Sequence, residues 1–201
     1  LEAVELYIGQ GNQNCLPARA QASASRLEFR SIAPDFSIKK IRYSAGIKGG
    51  SFGVLNPFAG IYAKTGKTSF LKFSANYNDT RGDYPYVLKN GSLPDTMLKR
   101  DNADLRALDL NLGFETIFSD SSVLRIKTWM YASERGLPGS VIYYNPWSVQ
   151  RMDNRDLFSN IQYSATYGKA QLLSNFTFND GYLRYRDPAF LNEEGGLDNR
   201  Y

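Results

Sequence analysis

Six stretches of the chain alternate apolar and polar residues, and a seventh among them keeps a weaker form of the same rhythm. The clearest covers residues 108–118. There Leu108, Leu110, Leu112, Phe114 and Phe118 fall on one face, and Asp109, Asn111 and Glu115 on the other. A period of two predicts a β-strand with one apolar and one polar side. Strands of soluble proteins average about 5–6 residues, whereas a tilted strand needs about 9–11 to cross a bilayer. The lengths here match the second case.

The rhythm is steady from Phe36 onward. Ile41, Tyr43, Ala45 and Ile47 oppose Lys40, Arg42, Ser44 and Lys48; Gly49-Gly50-Ser51 then turns the chain. The weaker stretch covers 52–64, where Asn56 and Pro57 blur the faces. Leu71, Phe73, Ala75 and Tyr77 oppose Lys72, Ser74 and Asn76, and the 108–118 stretch follows. Next come Leu124, Ile126, Thr128 and Met130 against Arg125 and Lys127. Leu157, Ile161, Tyr163, Ala165 and Tyr167 then oppose Asn160, Gln162 and Ser164. Last, Leu172, Phe176 and Phe178 oppose Gln171, Asn175 and Asn179.

The connections sort by length. Tight turns at Thr65-Gly66-Lys67, Ser119-Asp120-Ser121 and Gly168-Lys169 share one end of the sheet. Polar segments at 79–104, at 134–154 and from residue 180 share the other. Outer-membrane barrels keep short turns on one side and long loops on the other, and a soluble sandwich has no reason to do so. Tyr43, Tyr77, Phe114, Phe118, Tyr163, Tyr167 and Phe178 stand near strand ends, as interfacial girdles require. The expected fold is all-β: part of a transmembrane antiparallel β-barrel. Seven strands are too few to close one, so more strands are expected beyond Tyr201.

Residues 1–34 lack this rhythm. Val4, Leu6 and Ile8 form a short strand ending at Gly9-Gln10-Gly11, small residues run from Ala18 to Ser25, and a second short strand covers 26–31. Ala33-Pro34-Asp35 breaks the chain and predicts a boundary between an N-terminal unit, 1–34, and barrel strands, 35–201. No signal peptide precedes Leu1, and both ends look cut, which predicts a piece of a longer chain.

Composition narrows the function classes. The 201 residues carry a formal charge of +4, with 14 Tyr, one Cys and no His. No stretch of 18 or more apolar residues exists, which excludes a membrane-spanning helix. The positive charge is spread out, so no nucleic-acid partner is expected. Cys15 has no partner for a disulfide, and without His or a G-x-S-x-G turn a nucleophilic enzyme has no footing. Asp79, Asp83, Asp95, Asp101 and Asp104 share one segment, and oxygen ligands suit Ca²⁺. They lack the fixed spacing of a Ca²⁺ loop, so no metal site or cofactor is assigned.

Leu1-Glu2-Ala3-Val4-Glu5-Leu6-Tyr7-Ile8-Gly9 resembles the "I-E-x-[IV]-E-[IV]-x-x-G" segment that ends the plug domain of TonB-dependent outer-membrane receptors. Ser23-Ala24-Ser25-Arg26 stands where that family has Gly-Gly. Gly50-Ser51-Phe52-Gly53, Gly82-Asp83-Tyr84-Pro85-Tyr86 and Ser133-Glu134-Arg135-Gly136-Leu137-Pro138-Gly139 resemble segments of cobalamin-receptor-type members from Bacteroidota. The resemblance implies a barrel of about 22 strands around a plug, of which this chain holds the end of the plug and the first strands. It implies energised uptake of a bulky nutrient across the outer membrane of a Gram-negative bacterium. Cobalamin or another corrinoid comes first, and a siderophore or haem is the alternative within the family. The implied partners are the TonB complex (through a region outside this chain), outer-membrane lipids, a corrinoid or metal chelate, and a surface lipoprotein over the loops. From other classes, a passive porin or a soluble β-sandwich binding module remain.

A large polar ligand captured from water needs flat amphipathic groups and a few charged donors. The 79–104 segment offers Arg81, Tyr84 and Tyr86, and the 134–154 segment offers Tyr143, Tyr144, Trp147 and Arg151. Two readings stand for these residues: ligand contact, or packing of the loops onto each other and onto the girdle. For Arg135-Gly136-Leu137-Pro138-Gly139 the structural reading is a turn where the strand leaves the membrane. Arg42, Lys72, Asp109, Glu115, Arg125 and Lys127, on the polar face, either guide a solute or pair with one another and with the plug.

Overall fold

A computed structural model describes residues 3–8, 25–30, 39–89, 94–119, 121–140, 148–192 and 195–201. These contain twelve strands and one short 3₁₀ turn, Ser51–Gly53. The N-terminal pair, β1 (Ala3–Ile8) and β2 (Ser25–Arg30), is a separate antiparallel sheet with Ala3 opposite Arg30 and Ile8 opposite Ser25. The Gly9-Gln10-Gly11 turn, most of the small-residue run and the 33–35 break fall outside the described residues.

The main sheet has eight antiparallel strands in sequence order. They are β3 (Ile41–Gly50), β4 (Val54–Lys64), β5 (Ser69–Thr80), β8 (Leu105–Ser119), β9 (Ser122–Gly136), β10 (Arg151–Tyr167), β11 (Ala170–Asn192) and β12 (Gly195–Arg200). Between β5 and β8 sits a small hairpin of β6 (Pro85–Leu88) and β7 (Thr96–Lys99). Every neighbour within the main sheet is the next main-sheet strand along the chain, a pure meander. Sheet formation follows from the alternation: β-branched and aromatic side chains line one pleat face in cross-strand pairs.

The pairing places those side chains in rows. Ile61, Phe73, Leu112, Thr128, Ser159 and Phe178 form one row across six strands; Ala63, Leu71, Phe114, Ile126, Ile161 and Phe176 form the next. Together they make an apolar band. Nothing among the described residues covers it. Tyr43 is 85% exposed, Phe176 63% and Leu112 44%, while among the described residues the buried apolar side chains are Ala107 and Ala165. A water-soluble sheet of this size would place such a face against a second layer. The described residues include no helix long and apolar enough to cross a membrane, which leaves crossing by strands open.

Three boundaries differ from the expectation, all at the loop end. The segment expected as a loop over 134–154 is shorter, because β9 continues to Gly136 and β10 starts at Arg151. β11 continues past Asp180 to Asn192 and returns as β12, giving an eighth strand where polar loop was expected. The 79–104 segment contains the β6–β7 hairpin rather than unpaired chain. The first two share a cause: beyond the apolar band the band face itself turns charged (Glu134, Asp153, Arg184), so alternation fades from the sequence while pairing persists through charged cross-strand neighbours. The β6–β7 pairs are instead largely apolar, Tyr86 with Leu98 and Val87 with Met97, in strands of four residues, too short for a period to show. The tight turns at 65–68 and 168–169 stand as expected, and Asp120 in the third falls outside the described residues.

The polar face holds a different set. Arg125 donates Nε–H to Glu115 at 3.0 Å, and Trp129 donates Nε1–H to Asp109 at 2.6 Å, where Asn111 also donates. Trp129 stacks on Tyr131 with ring centroids 5.9 Å apart. Phe58 lies flat over Gly46, where an added Cβ would stand 2.6 Å from the ring. A glycine facing an aromatic cross-strand partner is a known way to seat a ring on a sheet.

Candidate functional site at the loop end

The loop end is built from three stitched elements. Leaving β5, the amides of Arg81 and Gly82 both donate to the Phe52 carbonyl at 3.2 Å, and Thr80 Oγ1 donates to the same oxygen at 3.3 Å. Phe52 sits in the left-handed region at φ 61°, held by these bonds. Its ring meets Tyr84 edge-on at 6.1 Å. The β3–β4 turn and the start of the long loop therefore form one aromatic corner. Arg81 stands over Gly53 with its guanidinium 4.0 Å from Asp83 and its side chain 74% exposed.

The hairpin comes next. Tyr86 on β6 carries the Arg100 guanidinium over its ring at 5.7 Å. Arg100 also donates its backbone N–H to the Tyr84 carbonyl at 2.9 Å, and its Nη2 donates to the Gly139 carbonyl across the gap to the second loop. Arg100 Nε is buried and has no hydrogen-bond partner among the described residues.

Asn102 fastens the second loop. In a left-handed conformation (φ 51°) that asparagine tolerates, it donates Nδ2 to the carbonyls of Leu137 (3.1 Å) and Gln150 (2.8 Å). Leu137 and Gln150 are bonded to each other, Ser148 donates to the Leu137 carbonyl, and Gln150 reaches Asp187 on β11 at 2.8 Å. The loop is closed at its base like a strap. Within 135–139, expected as a turn, Arg135 and Gly136 still belong to β9, and Leu137 just beyond it carries this closure.

A belt of charge runs beneath these loops, on the same face as the apolar band. Asp79, Arg106, Glu134, Asp153, Arg184 and Arg200 lie in one row across six strands, with Arg151, Arg186 and Asp198 in the row above. Arg151 makes a bidentate pair with Asp104 (2.7 and 2.8 Å) and reaches Glu134 at 3.1 Å. Arg186 meets Asp153 at 3.0 Å, Asp198 takes Arg184 (2.7 Å) and Arg200 (3.0 Å), and Arg106 stands 3.9 Å from Asp79. Hydrogen bonds from Arg151 hold the Asp104 carboxyl below its ordinary value. Arg184 and then Arg200 do the same for Asp198.

Four of the seven ligand candidates are thus placed. Arg81, Tyr84 and Tyr86 share the mouth of the first loop, and Arg151 is committed to Asp104 and Glu134 on the band side of the sheet. Tyr143, Tyr144 and Trp147 fall outside the described residues. Phe52, Arg100 and Asn102 were missed: Phe52 reads as the first residue of the weaker stretch over 52–64, and Arg100 and Asn102 belong to no periodic stretch. The residue pair Asp101-Asn102, both apt to form local turns, was the available signal. The acidic residues of the first loop do not gather: Asp79, Asp83 and Asp104 each face an arginine, and Asp101 accepts the Asn102 amide at 2.9 Å. The described residues hold no group of three potential metal ligands.

No protein-family model matches the chain, and no curated protein matches it.

Proposed function

We propose that this chain is an oriented sector of an outer-membrane β-barrel that takes up a bulky nutrient in a TonB-dependent manner. One observation carries the reading. The meander bares an apolar band across β3 to β11, and the band ends in paired charges at the side where the long loops emerge. That is the profile of a wall standing in lipid, with its loops in water. Free edges at β3 and β12 fit a sheet that continues into further strands. The β1–β2 pair, separate from the main sheet, fits the end of a plug.

The first loop supports a ligand-binding mouth. Tyr84 and Tyr86 give flat surfaces and Arg81 a cationic donor at the rim, Arg100 packs on the Tyr86 ring and ties the first loop to Gly139, and Arg151 pairs with Asp104 and Glu134. Tyr143, Tyr144 and Trp147 complete the ligand set in this reading. The substrate class drawn from the family resemblance is a corrinoid, with a siderophore or haem as the alternative. Calorimetric titration of the full-length receptor in detergent with cyanocobalamin tests it. Saturable binding that weakens in a Tyr84→Ala, Tyr86→Ala variant is expected. Absence of binding heat removes the corrinoid and leaves the barrel standing.

A further inference from the structure

On the polar face, below the Trp129–Tyr131 pair, one row of the sheet reads Arg42, Tyr62, Lys72, Gly113, Lys127 across five strands. Lys64 lies one row nearer the tight turns. The nearest acidic side chain in the register is Glu115, and Arg125 occupies it at 3.0 Å. Among the described residues, Arg42, Lys64, Lys72 and Lys127 form no ion pair. Among the described residues this strip of positive charge has no acidic partner, and such a strip draws anions from water.

The shape adds to the charge. Lys72 and Lys127 flank Gly113 in register, one on each side. Two strand spacings separate their backbones, about 10 Å. Gly113 puts no side chain between them; a Cβ there would meet only the Lys72 Cβ, at 3.6 Å. The Lys72 ammonium lies over the Tyr62 ring, 5.4 Å from its centroid, toward β4 and away from Gly113. The gap is wide enough for a phosphate or carboxylate group to approach the bare strand beside Lys127, and the flexible Lys72 stem lets its ammonium swing from the Tyr62 ring to the other side of such a group.

We infer that Lys72, Gly113 and Lys127 form an anion-binding station on the polar face, with Arg42 and Lys64 as its electrostatic approach, for a solute bearing a phosphate or clustered carboxylates. The station rests on the reading of this face as the lumen wall, and it specifies the cargo: a solute that is negative at the end that passes the strip.

Titration of the full-length receptor in detergent with pyrophosphate, read calorimetrically, tests the station. Binding in the millimolar range or tighter is expected. It should weaken about tenfold or more in a Lys72→Gln, Lys127→Gln variant, since two charge-assisted contacts are lost. Gly113→Val fills the gap while keeping both charges, and should weaken binding as well. Arg155→Gln, on the opposite face, should leave it unchanged. Competition by citrate would show that clustered carboxylates share the station, and indifference to citrate would narrow it to phosphate. Each variant is first shown to keep the strand-rich circular dichroism of the parent. Pyrophosphate binding that is absent, or equal in the parent and the double-lysine variant, overturns the station. Lipid exposure of Lys72 and Lys127 would instead overturn the lumen wall itself, and a spin label at those positions tells the two failures apart.

Discussion

Leu112→Arg is expected to cost the receptor about 2–4 kcal/mol of stability in a lipid bilayer, the range for arginine at the lipid-facing midplane of a barrel. Leu112 lies in the centre of the apolar band between Phe73 and Thr128, in the fourth of the eight main-sheet strands. Its side chain is 44% exposed with no covering layer among the described residues. In water, arginine at so open a position costs within about 0.5 kcal/mol. The size of the effect therefore reports the medium and not the packing. Asn111→Arg, one residue away on the polar face, should cost about 1 kcal/mol or less, because its side chain points to the wet side. Urea unfolding in vesicles measures both. Equal costs at 111 and 112 would mean that the two faces meet the same medium.

Gly82→Ala should be the most damaging change at the loop end. Gly82 takes φ 63° where the chain leaves β5, and a Cβ there would collide with the Ala103 carbonyl oxygen. The left-handed backbone costs an alanine about 1–2 kcal/mol. Forcing the two backbone segments apart adds about 1–3 kcal/mol. Gly168→Ala is the control, since it shares the backbone strain (φ 60°) with nothing within 4 Å of its would-be Cβ. It should cost about 1–2 kcal/mol. Unfolding free energies give the difference, and faster amide exchange at 102–104 should appear only in the first variant. A smaller loss for Gly82→Ala than for Gly168→Ala would show that the two loop bases are not pressed together as described.

The strand cores were legible because the band makes them so. From 108 to 114 apolar and polar side chains alternate between the two faces of the sheet, and that alternation writes the strand, its faces and its length into the sequence. The β3, β5, β8 and β9 faces follow it residue by residue. Legibility stops where the apolar face ends. Glu134, Asp153, Arg184 and Arg186 read as loop because the face that is apolar in the band turns charged there. Yet they are strand residues held by partners in neighbouring strands, and a one-dimensional pattern does not record partners.

The loop-end residues were harder still. Tyr84 and Tyr86 announce themselves as aromatic residues in a polar segment. Arg100 and Asn102 matter through carbonyls some 35–48 residues away in the chain. Phe52 looks like an ordinary strand hydrophobe, and its role comes from a left-handed backbone that three donors from 80–82 hold in place. The polar-face lysines were visible as cations. Their lack of acidic neighbours, and the bare Gly113 between two of them, came only from the register.

The central claim is that one face of this sheet lies in lipid and the other lines a wet lumen. Nitroxide scanning of residues 108–115 in the full-length chain, in vesicles and with Cys15 replaced by serine, tests it most directly. Labels at 108, 110, 112 and 114 should collide with dissolved oxygen and be shielded from a water-soluble nickel chelate. Labels at 109, 111, 113 and 115 should show the reverse, giving a period of two in phase with the apolar residues. Even-numbered positions reached by the nickel chelate, or shielded from both probes as in a protein core, would contradict it.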